Sequence, residues 1–287
     1  GNIAVAQAYL ADISTAEQRA GAMGRLGAAF GLGFVVGPIL GGLLIGQDPG
    51  AGDFVLPCLV AAGFSAAAIL LGLFLLQEPA QHRPKERRRA SFEELRTAVI
   101  SNGIPGIIGL TLLVTFAFTA LMALFPLWCQ TRLGWGAAEV SYGYAYIGLL
   151  VAGMQGVLVG PVTKALGPPR VLLLGAVALS TGLLLIPWIN SIATFAGDVI
   201  LLCLGTSFCH PVLTAMISQR ADGDHQGTVM GIASSIAALG RISSPPVAGL
   251  LFSQLGPNWP MLMGGIIVLP VAVAAAWMSL RFERRQE

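Results

Sequence analysis

The sequence predicts an all-α protein that crosses a membrane many times. Of its 287 residues, 55% are apolar and only 10% are charged, and the mean hydropathy is +0.77. An ordinary soluble domain carries about 25% charged residues. A chain this apolar has too few charged side chains to cover a water-facing surface. This excludes a cytosolic globular enzyme, a disordered tail and a secreted disulfide scaffold.

Apolar runs that are long enough to cross a bilayer recur along the chain. A helix needs about 20 apolar residues to span the hydrocarbon core. This criterion predicts one partial span at 1–11 and eight full spans at 22–46, 54–76, 104–129, 139–162, 169–189, 193–217, 228–253 and 260–280. The partial span is too short to cross, and we expect it to be the end of a helix that begins before Gly1.

Lysine and arginine lie almost entirely on one side of the predicted membrane. When the connections are followed alternately, 13 of the 16 fall on one side and only Arg132 on the other, while Arg25 and Arg241 lie within spans. Cytoplasmic loops carry an excess of these residues. We therefore expect the C-terminus and the basic linker 77–103 to be cytoplasmic. The linker is interpreted as a solvated segment that fixes orientation, with a specific lipid or partner site as the alternative.

An internal repeat relates the two halves of the chain. When the sequence is shifted by 207 residues, segment 23–44 falls on 230–251, and eight of 22 positions are identical without a gap. Both segments follow a polar loop and run in the same direction, which is typical of transporters built from duplicated halves. The repeat predicts that domain 1–76 is the remainder of a first bundle and that domain 104–287 is a complete second one. An intact chain would have twelve spans, with roughly 100 residues before Gly1.

The segment GFVVGPILGG, from Gly33 to Gly42, predicts a bent and closely packed helix. Gly33 and Gly37 are one turn apart and leave a flat surface that a neighbouring helix backbone can approach. Pro38 removes a backbone hydrogen bond and bends the helix. Gly41 and Gly42 continue the small-residue surface beyond the bend. Such a helix suits an interface at which two bundles move.

This segment resembles the antiporter motif in the fifth span of the major facilitator superfamily. The preceding AYLADI, from Ala8 to Ile13, is also similar, most closely to the drug:proton antiporters that include bacterial tetracycline-efflux proteins. A second segment, GPVTKALGPPR from Gly160 to Arg170, resembles the second copy of the family's cytoplasmic gating loop. The resemblance implies the major facilitator fold, alternating access and proton-driven export of a small, partly hydrophobic compound.

The resemblance also implies a set of residues at the cytoplasmic gate. These are Asp12, Arg19, Gly160, Lys164, Gly167 and Arg170. For Asp12 and Arg19, helix capping and orientation are an equal alternative. Three positions depart from the family pattern. Lys164 and Ala165 stand where the loop has an acid and a base, and Leu179 stands where tetracycline exporters carry an aspartate in the ninth span.

Three ionisable residues within predicted spans are candidates for proton coupling or substrate contact, because charge at membrane depth is costly and usually functional. Asp198 could bind a proton, or it could be a hydrated acid near the outer face. Arg241 requires a carboxylate, carbonyl groups or water nearby. It could act in the transport cavity or in a functional ion pair, or it could form a purely structural pair. His210 suits proton relay or a packed core. Two uncharged residues, Gln155 and Gln7, could hydrogen-bond a substrate or pack between helices.

Aromatic side chains on the seventh and eighth spans, in whole-protein count, form a further candidate surface. They are Phe116, Phe118, Phe125, Trp128, Tyr142 and Tyr146. Such rings could hold a flat, greasy or cationic compound. The alternative is helix packing, lipid contact and an interfacial belt.

No motif indicates an enzyme, a cofactor or a metal site. The two lysines, Lys85 and Lys164, do not follow a phosphate-binding loop, and neither HExxH nor GxSxG occurs. The four cysteines, at 58, 129, 203 and 209, lack Cys-x-x-Cys spacing and are interpreted as free, buried thiols.

The sequence therefore predicts a secondary active transporter of the cell membrane, of the bacterial inner membrane in particular. The expected partners are the lipid bilayer, a small-molecule substrate and protons, with no nucleic acid and no obligate protein partner. Two alternatives stay open: a transporter of the same fold for a sugar, amino acid or polyamine, and a non-transporting membrane scaffold.

Overall fold

The computed structural model describes Tyr9 and residues 19–45, 54–76, 103–221 and 226–283. Side chains are not described at 19–28, 30, 31, 34, 226, 227, 282 and 283. The predicted partial span and basic linker therefore lie outside the described residues, apart from Tyr9 and Gly103. Gln7 and Asp12 lie outside them too.

All regular structure in the described ranges is helical. In chain order, the helices are α1 (Arg19–Ile45), α2 (Val55–Leu75), α3 (Ile104–Leu133), α4 (Ala137–Gly153), α5 (Val159–Leu166), α6 (Pro168–Leu185), α7 (Ile192–Arg220), α8 (Gln226–Leu255) and α9 (Trp259–Glu283). A π-helical turn, Met154–Leu158, joins α4 to α5, and a 3-10 turn, Ile186–Trp188, follows α6.

Seven helical segments in the described residues are long and apolar enough to cross a membrane, and each matches a predicted full span. One of them, Ala137–Leu166, comprises α4, the π-helical turn and α5. The remaining predicted span, 22–46, corresponds to α1, whose described apolar part is Val35–Ile45. The chain is thus an all-α polytopic membrane protein, as its composition predicts.

The helix ends follow local sequence chemistry. α3 begins after Gly103, which has a φ of 71°, and ends just before Gly134, which has a φ of 67°. Glycine takes this left-handed conformation without steric cost. α7 begins with a reciprocal capping pair in which the Ser191 hydroxyl accepts from the Thr194 amide and the Thr194 hydroxyl accepts from the Ser191 amide. Pro168 opens α6, where its missing N–H costs nothing.

The two copies of the repeat, 23–44 and 230–251, lie within α1 and α8. The chain divides into two compact units, one of 1–89 with 135–152 and one of 90–134 with 153–287. The first contains α1, α2 and nearly all of α4. The second contains α3 and everything from the π-helical turn onward. The domain boundary that the sequence predicts, after residue 103, stays a prediction.

In the second unit, α6 packs between α7 and α9 through close backbone approaches. A Cβ on Gly205 of α7 would lie 2.6 Å from the Leu179 Cα of α6, and one on Gly182 of α6 would lie 2.8 Å from the Leu202 side chain of α7. On the other side, the Ser180 hydroxyl donates to the Gly265 carbonyl at 2.8 Å. Small residues at helix contacts allow this proximity within membranes.

One cysteine differs from the prediction of burial. Cys129, Cys203 and Cys209 are buried, but Cys58 is exposed, and all four are free. Cys58 lies on α2, none of whose residues is buried. An apolar run therefore predicted a membrane helix correctly but not the burial of each side chain, because a lipid-facing surface is equally apolar.

Candidate functional site

The second unit brings together one cluster of predicted residues, from α3, α7 and α8. His210 of α7 is half-buried, and the edge of its ring meets Phe118 of α3, with ring centroids 5.9 Å apart and planes at 74°. Arg241 lies on α8, which contacts both α3 and α7. We call Phe118, His210 and Arg241 the His210 cluster. Sequence reasoning chose all three residues separately; the fold puts the rings of Phe118 and His210 in contact and Arg241 on the adjoining helix.

Arg241 is exposed and lies near the middle of α8. The neighbouring Gly240 is buried against α3, where an added Cβ would lie 2.9 Å from Leu112. One turn further on, the buried Ser244 hydroxyl donates to the Phe116 carbonyl of α3 at 2.6 Å. α8 is thus held tightly on α3 beside an arginine whose own side chain is free of hydrogen bonds and ion pairs to described residues.

Asp198 lies on a different side of α7 from His210. The contacts of Gly205 with Leu179 and of Leu202 with Gly182 define an antiparallel register between α7 and α6. Continued toward the start of α7, this register places Asp198 opposite Ile186, the first residue of the 3-10 turn. The carboxylate therefore faces α6, away from the His210 cluster.

The environment of Asp198 is apolar. The residue is only 6% exposed, and neither carboxylate oxygen has a hydrogen-bond partner in the described part of the chain. In the described structure the carboxyl group is thus buried, and the choice between proton binding and hydration near the outer face stays a prediction. No pair forms between Asp198 and Arg241, because neither Asp198 oxygen has a partner among the described residues. In the part of the chain that the structure describes, Asp198 is thus a buried carboxyl group without a hydrogen-bond donor.

Leu179, the position at which tetracycline exporters carry an aspartate, is fully buried. Its backbone lies against Gly205, where an added Cβ would approach the Leu179 Cα and N to 2.6 Å. In this chain, therefore, the position serves helix packing.

Gln155 is exposed and lies within the π-helical turn, which contacts α7. Single π-helical turns often occur at functional sites because they aim side chains differently from a regular helix. Gln155 could be predicted as a polar residue within a membrane span. The π-helical turn around it could not, because the neighbouring residues are apolar like those of a regular span.

The small residues of the antiporter-like segment differ in what lies next to them. Among described residues, nothing lies within 4 Å of a Cβ built on Gly33, Gly37 or Gly41. A Cβ on Gly42 would lie 2.8 Å from the Cβ of Ser141 on α4, in the same unit. α1 continues through Pro38 to Ile45. Among the described residues, another helix approaches this segment closely at Gly42, and a hinge role for the segment stays a prediction.

The gate-like segment forms two helices joined by one residue. α5 ends at Leu166, Gly167 adopts a φ of 79°, and Pro168 begins α6. Gly160 and Lys164 are exposed on α5, and Arg170 is half-buried in the first turn of α6. Arg19 begins α1, but its side chain is not among those described. A gating role for these residues stays a prediction.

Three contacts at one end of the second unit were not predicted. The Trp128 indole donates to the Asn258 side chain at 3.0 Å, and Arg132 donates to the Pro187 carbonyl at 3.1 Å. The rings of Phe125 and Phe195 lie 5.9 Å apart. Phe125 and Trp128 are buried, so they serve helix packing. The sequence indicated aromatic residues here but not their partners, which lie far away along the chain.

Comparisons with known proteins agree with this fold. The sequence profile of the Major Facilitator Superfamily matches residues 1–160 and 149–287. The human organic anion transporter TETRAN has a similar structure, with a TM-score of 0.66 at 20% identity over 94% of this chain and 66% of that one. At this identity the likeness shows the fold.

Several bacterial relatives are similar in sequence. The class C tetracycline resistance protein of Escherichia coli is 30% identical over 96% of this chain and 70% of its own length. The class D tetracycline resistance protein of Salmonella ordonez is 31% identical, over 88% of this chain and 62% of its own length. Multidrug resistance protein 2 of Bacillus subtilis is 26% identical, over 91% of this chain and 65% of its own length. The chain thus spans roughly two thirds of the length of these relatives. With its profile match over the whole sequence and its bundle of membrane-length helices, the chain belongs to the major facilitator superfamily of transporters.

Proposed function

We propose that this protein is a secondary active transporter that exports a small hydrophobic compound, such as a tetracycline-like drug, in exchange for protons. The named activities of the tetracycline and multidrug resistance relatives support this substrate class. The sequence contains no phosphate-binding loop for ATP, which supports an ion gradient as the source of energy. Transport proceeds by alternating access between two helical bundles, with the C-terminus and the basic linker on the cytoplasmic side.

The observation that carries proton coupling is the environment of Asp198. Its carboxyl group is buried in a membrane-spanning helix, and both oxygens lack partners among the described residues. An uncompensated charge costs free energy in such a place. The group is therefore suited to hold a proton while it is buried and to release it when a conformational change admits water. Such an exchange is what a proton-coupled carrier requires of one acid.

Drug-induced proton release from inside-out membrane vesicles tests this proposal. We acidify the interior of the vesicles relative to the medium and add tetracycline or another lipophilic drug. The pH of the interior is followed with an entrapped pH-sensitive dye. The unchanged protein is expected to release protons when drug is added. Asp198→Asn is expected to abolish the release, because the amide matches the carboxyl group in size but cannot exchange a proton at this site.

Glu139→Gln is the matched control. Glu139 is an exposed acid near the start of α4, and its carboxylate accepts from the Gly136 amide at 2.9 Å. This variant is expected to release protons as the unchanged protein does. Release that survives Asp198→Asn, at equal protein abundance, would exclude Asp198 as the coupling acid. Absence of release from the unchanged protein with every drug would refute proton-coupled drug export.

A further inference from the structure

We propose that Arg241 and His210 bind an anionic group of the transported compound, so that the cargo is an organic anion with a flat apolar body. This inference rests on the proposed transport function and names the chemistry of its substrate. It begins from the position of Arg241 on α8.

Residues of α8 divide into faces at about 100° per residue. One face packs toward α3 and contains the buried Ala237, Gly240 and Ser244. Leu239 and Ile242, which are 62% and 71% exposed, lie on a second face together with the exposed Ser243. Arg241 lies at the edge of the first face, four residues after Ala237 and three before Ser244. It is itself exposed, so its guanidinium is not packed into the contact with α3, and α8 also contacts α7, the helix of His210.

The depth of Arg241 makes its charge costly. The residue is about 20 Å from either end of α8, at a rise of about 1.5 Å per residue. A lipid headgroup remains at the membrane surface, so it does not neutralise a charge at this depth. A guanidinium in the middle of a span therefore needs an anion or water that the protein or its cargo brings there.

The described part of the protein supplies no such anion. Only two acidic side chains are described, Glu139 and Asp198, and neither forms an ion pair with Arg241. Glu139 accepts a hydrogen bond at the start of α4, and Asp198 faces α6. The guanidinium thus keeps its planar set of donors, which matches a carboxylate or sulfonate in two-point geometry.

The other members of the His210 cluster define the rest of the ligand. The imidazole supplies a second polar group on the adjoining helix α7, and the half-buried Phe118 ring meets the imidazole edge-on. A cation next to aromatic surface fits a molecule with a charged group on a flat apolar body. The chemistry therefore selects an aromatic organic anion over a cationic compound with the same ring.

Two xanthene dyes separate these charges on similar ring systems. Fluorescein is anionic and rhodamine 6G is cationic, and fluorescence anisotropy reports the binding of each to the purified protein in a neutral detergent. The unchanged protein is expected to bind fluorescein more tightly. Arg241→Gln is expected to weaken fluorescein binding at least tenfold and to leave rhodamine 6G within twofold. Arg241→Lys, which keeps the charge but loses the two-point geometry, is expected to fall between them.

Arg132→Gln is the matched control, since Arg132 is also an arginine but donates to the Pro187 carbonyl at the end of the bundle. It is expected to bind both dyes normally. The proposal is overturned if the unchanged protein does not prefer fluorescein, or if Arg241→Gln leaves fluorescein binding intact. Equal loss of both dyes, with unchanged thermal unfolding, also overturns it. Because binding in detergent needs no proton gradient, failure here is distinct from failure of drug-induced proton release.

Discussion

The two copies of the internal repeat, α1 and α8, carry small residues at matching positions but differ in what covers them. In α8 the residues Gly240, Ser244 and Ala248 are one turn apart and buried, and the first two lie directly against α3. The matching residues of α1, 207 positions earlier, are Gly33, Gly37 and Gly41, and no described residue lies within 4 Å of a Cβ on any of them. Spacing of small residues thus gives a helix the capacity for close approach, and a partner helix determines whether that capacity is used.

The largest expected effect is that of Gly240→Leu. A Cβ at this position would lie 2.9 Å from the Leu112 side chain and 3.4 Å from its carbonyl oxygen. A larger side chain therefore forces α8 away from α3, and overpacking of this kind costs about 3 kcal/mol. We expect a clear loss of stability when the purified protein is unfolded by titration with sodium dodecyl sulfate.

The matching change in the first copy, Gly33→Leu, is the control for this comparison. No described residue lies within 4 Å of its Cβ, so we expect a smaller loss of stability than for Gly240→Leu. If Gly240→Leu and Gly33→Leu lower the free energy of unfolding equally, the inferred difference in packing between α8 and α1 is wrong.

A smaller effect is expected at the one position of the α1 surface with a close neighbour. Gly42→Ala would place a Cβ 2.8 Å from the Ser141 Cβ, which the backbone holds in place. We expect a loss of about 1–2 kcal/mol in the free energy of unfolding. Gly41→Ala, whose added Cβ would meet no described residue within 4 Å, is expected to be neutral.

A second substitution sharpens this prediction. Ser141→Gly removes the atom that clashes, so the double variant Gly42→Ala/Ser141→Gly is expected to recover most of the stability lost in Gly42→Ala. A double-mutant cycle measures this coupling. Strictly additive effects would contradict a direct contact between the two positions.

The smallest expected effect is that of Ser244→Ala. It removes the hydroxyl that donates to the Phe116 carbonyl at 2.6 Å, and an interhelical hydrogen bond of this kind contributes about 1 kcal/mol or less. Ser243→Ala is the neighbouring control, because the Ser243 hydroxyl donates to the Leu239 carbonyl of its own helix. Ser244→Ala should lower the unfolding free energy and Ser243→Ala should not. Equal effects would show that α8 does not depend on this bond.

Span positions could be predicted from the sequence because bilayer thickness requires a long apolar run, which stands out whatever the helix packs against. The repeat was also visible, since Gly33 and Pro38 recur as Gly240 and Pro245. These features depend only on residues near one another in the chain. They predicted the order of the helices in the second unit, and they placed the helix boundaries to within a few residues.

The arrangement of the candidate site could not be predicted in the same way. α7 is apolar on all sides, so no periodic pattern showed that Asp198 faces α6 while His210 faces Phe118. That difference follows from the register of α6 on α7, which Gly182 and Gly205 fix through contacts between helices. The Trp128 bond to Asn258 joins residues 130 positions apart, and no local signal predicts such a pair.

The π-helical turn at Met154–Leu158 has a practical consequence for labelling this protein. Its wider hydrogen-bonded turn accommodates an extra residue, and one residue corresponds to about 100° of rotation around a helix. Cysteine-accessibility profiles along Ala137–Leu166 should therefore show a phase jump at Gln155. A single helical wheel drawn through the whole segment would assign Lys164 to the wrong stripe, whereas two wheels that meet at the turn would place both halves correctly.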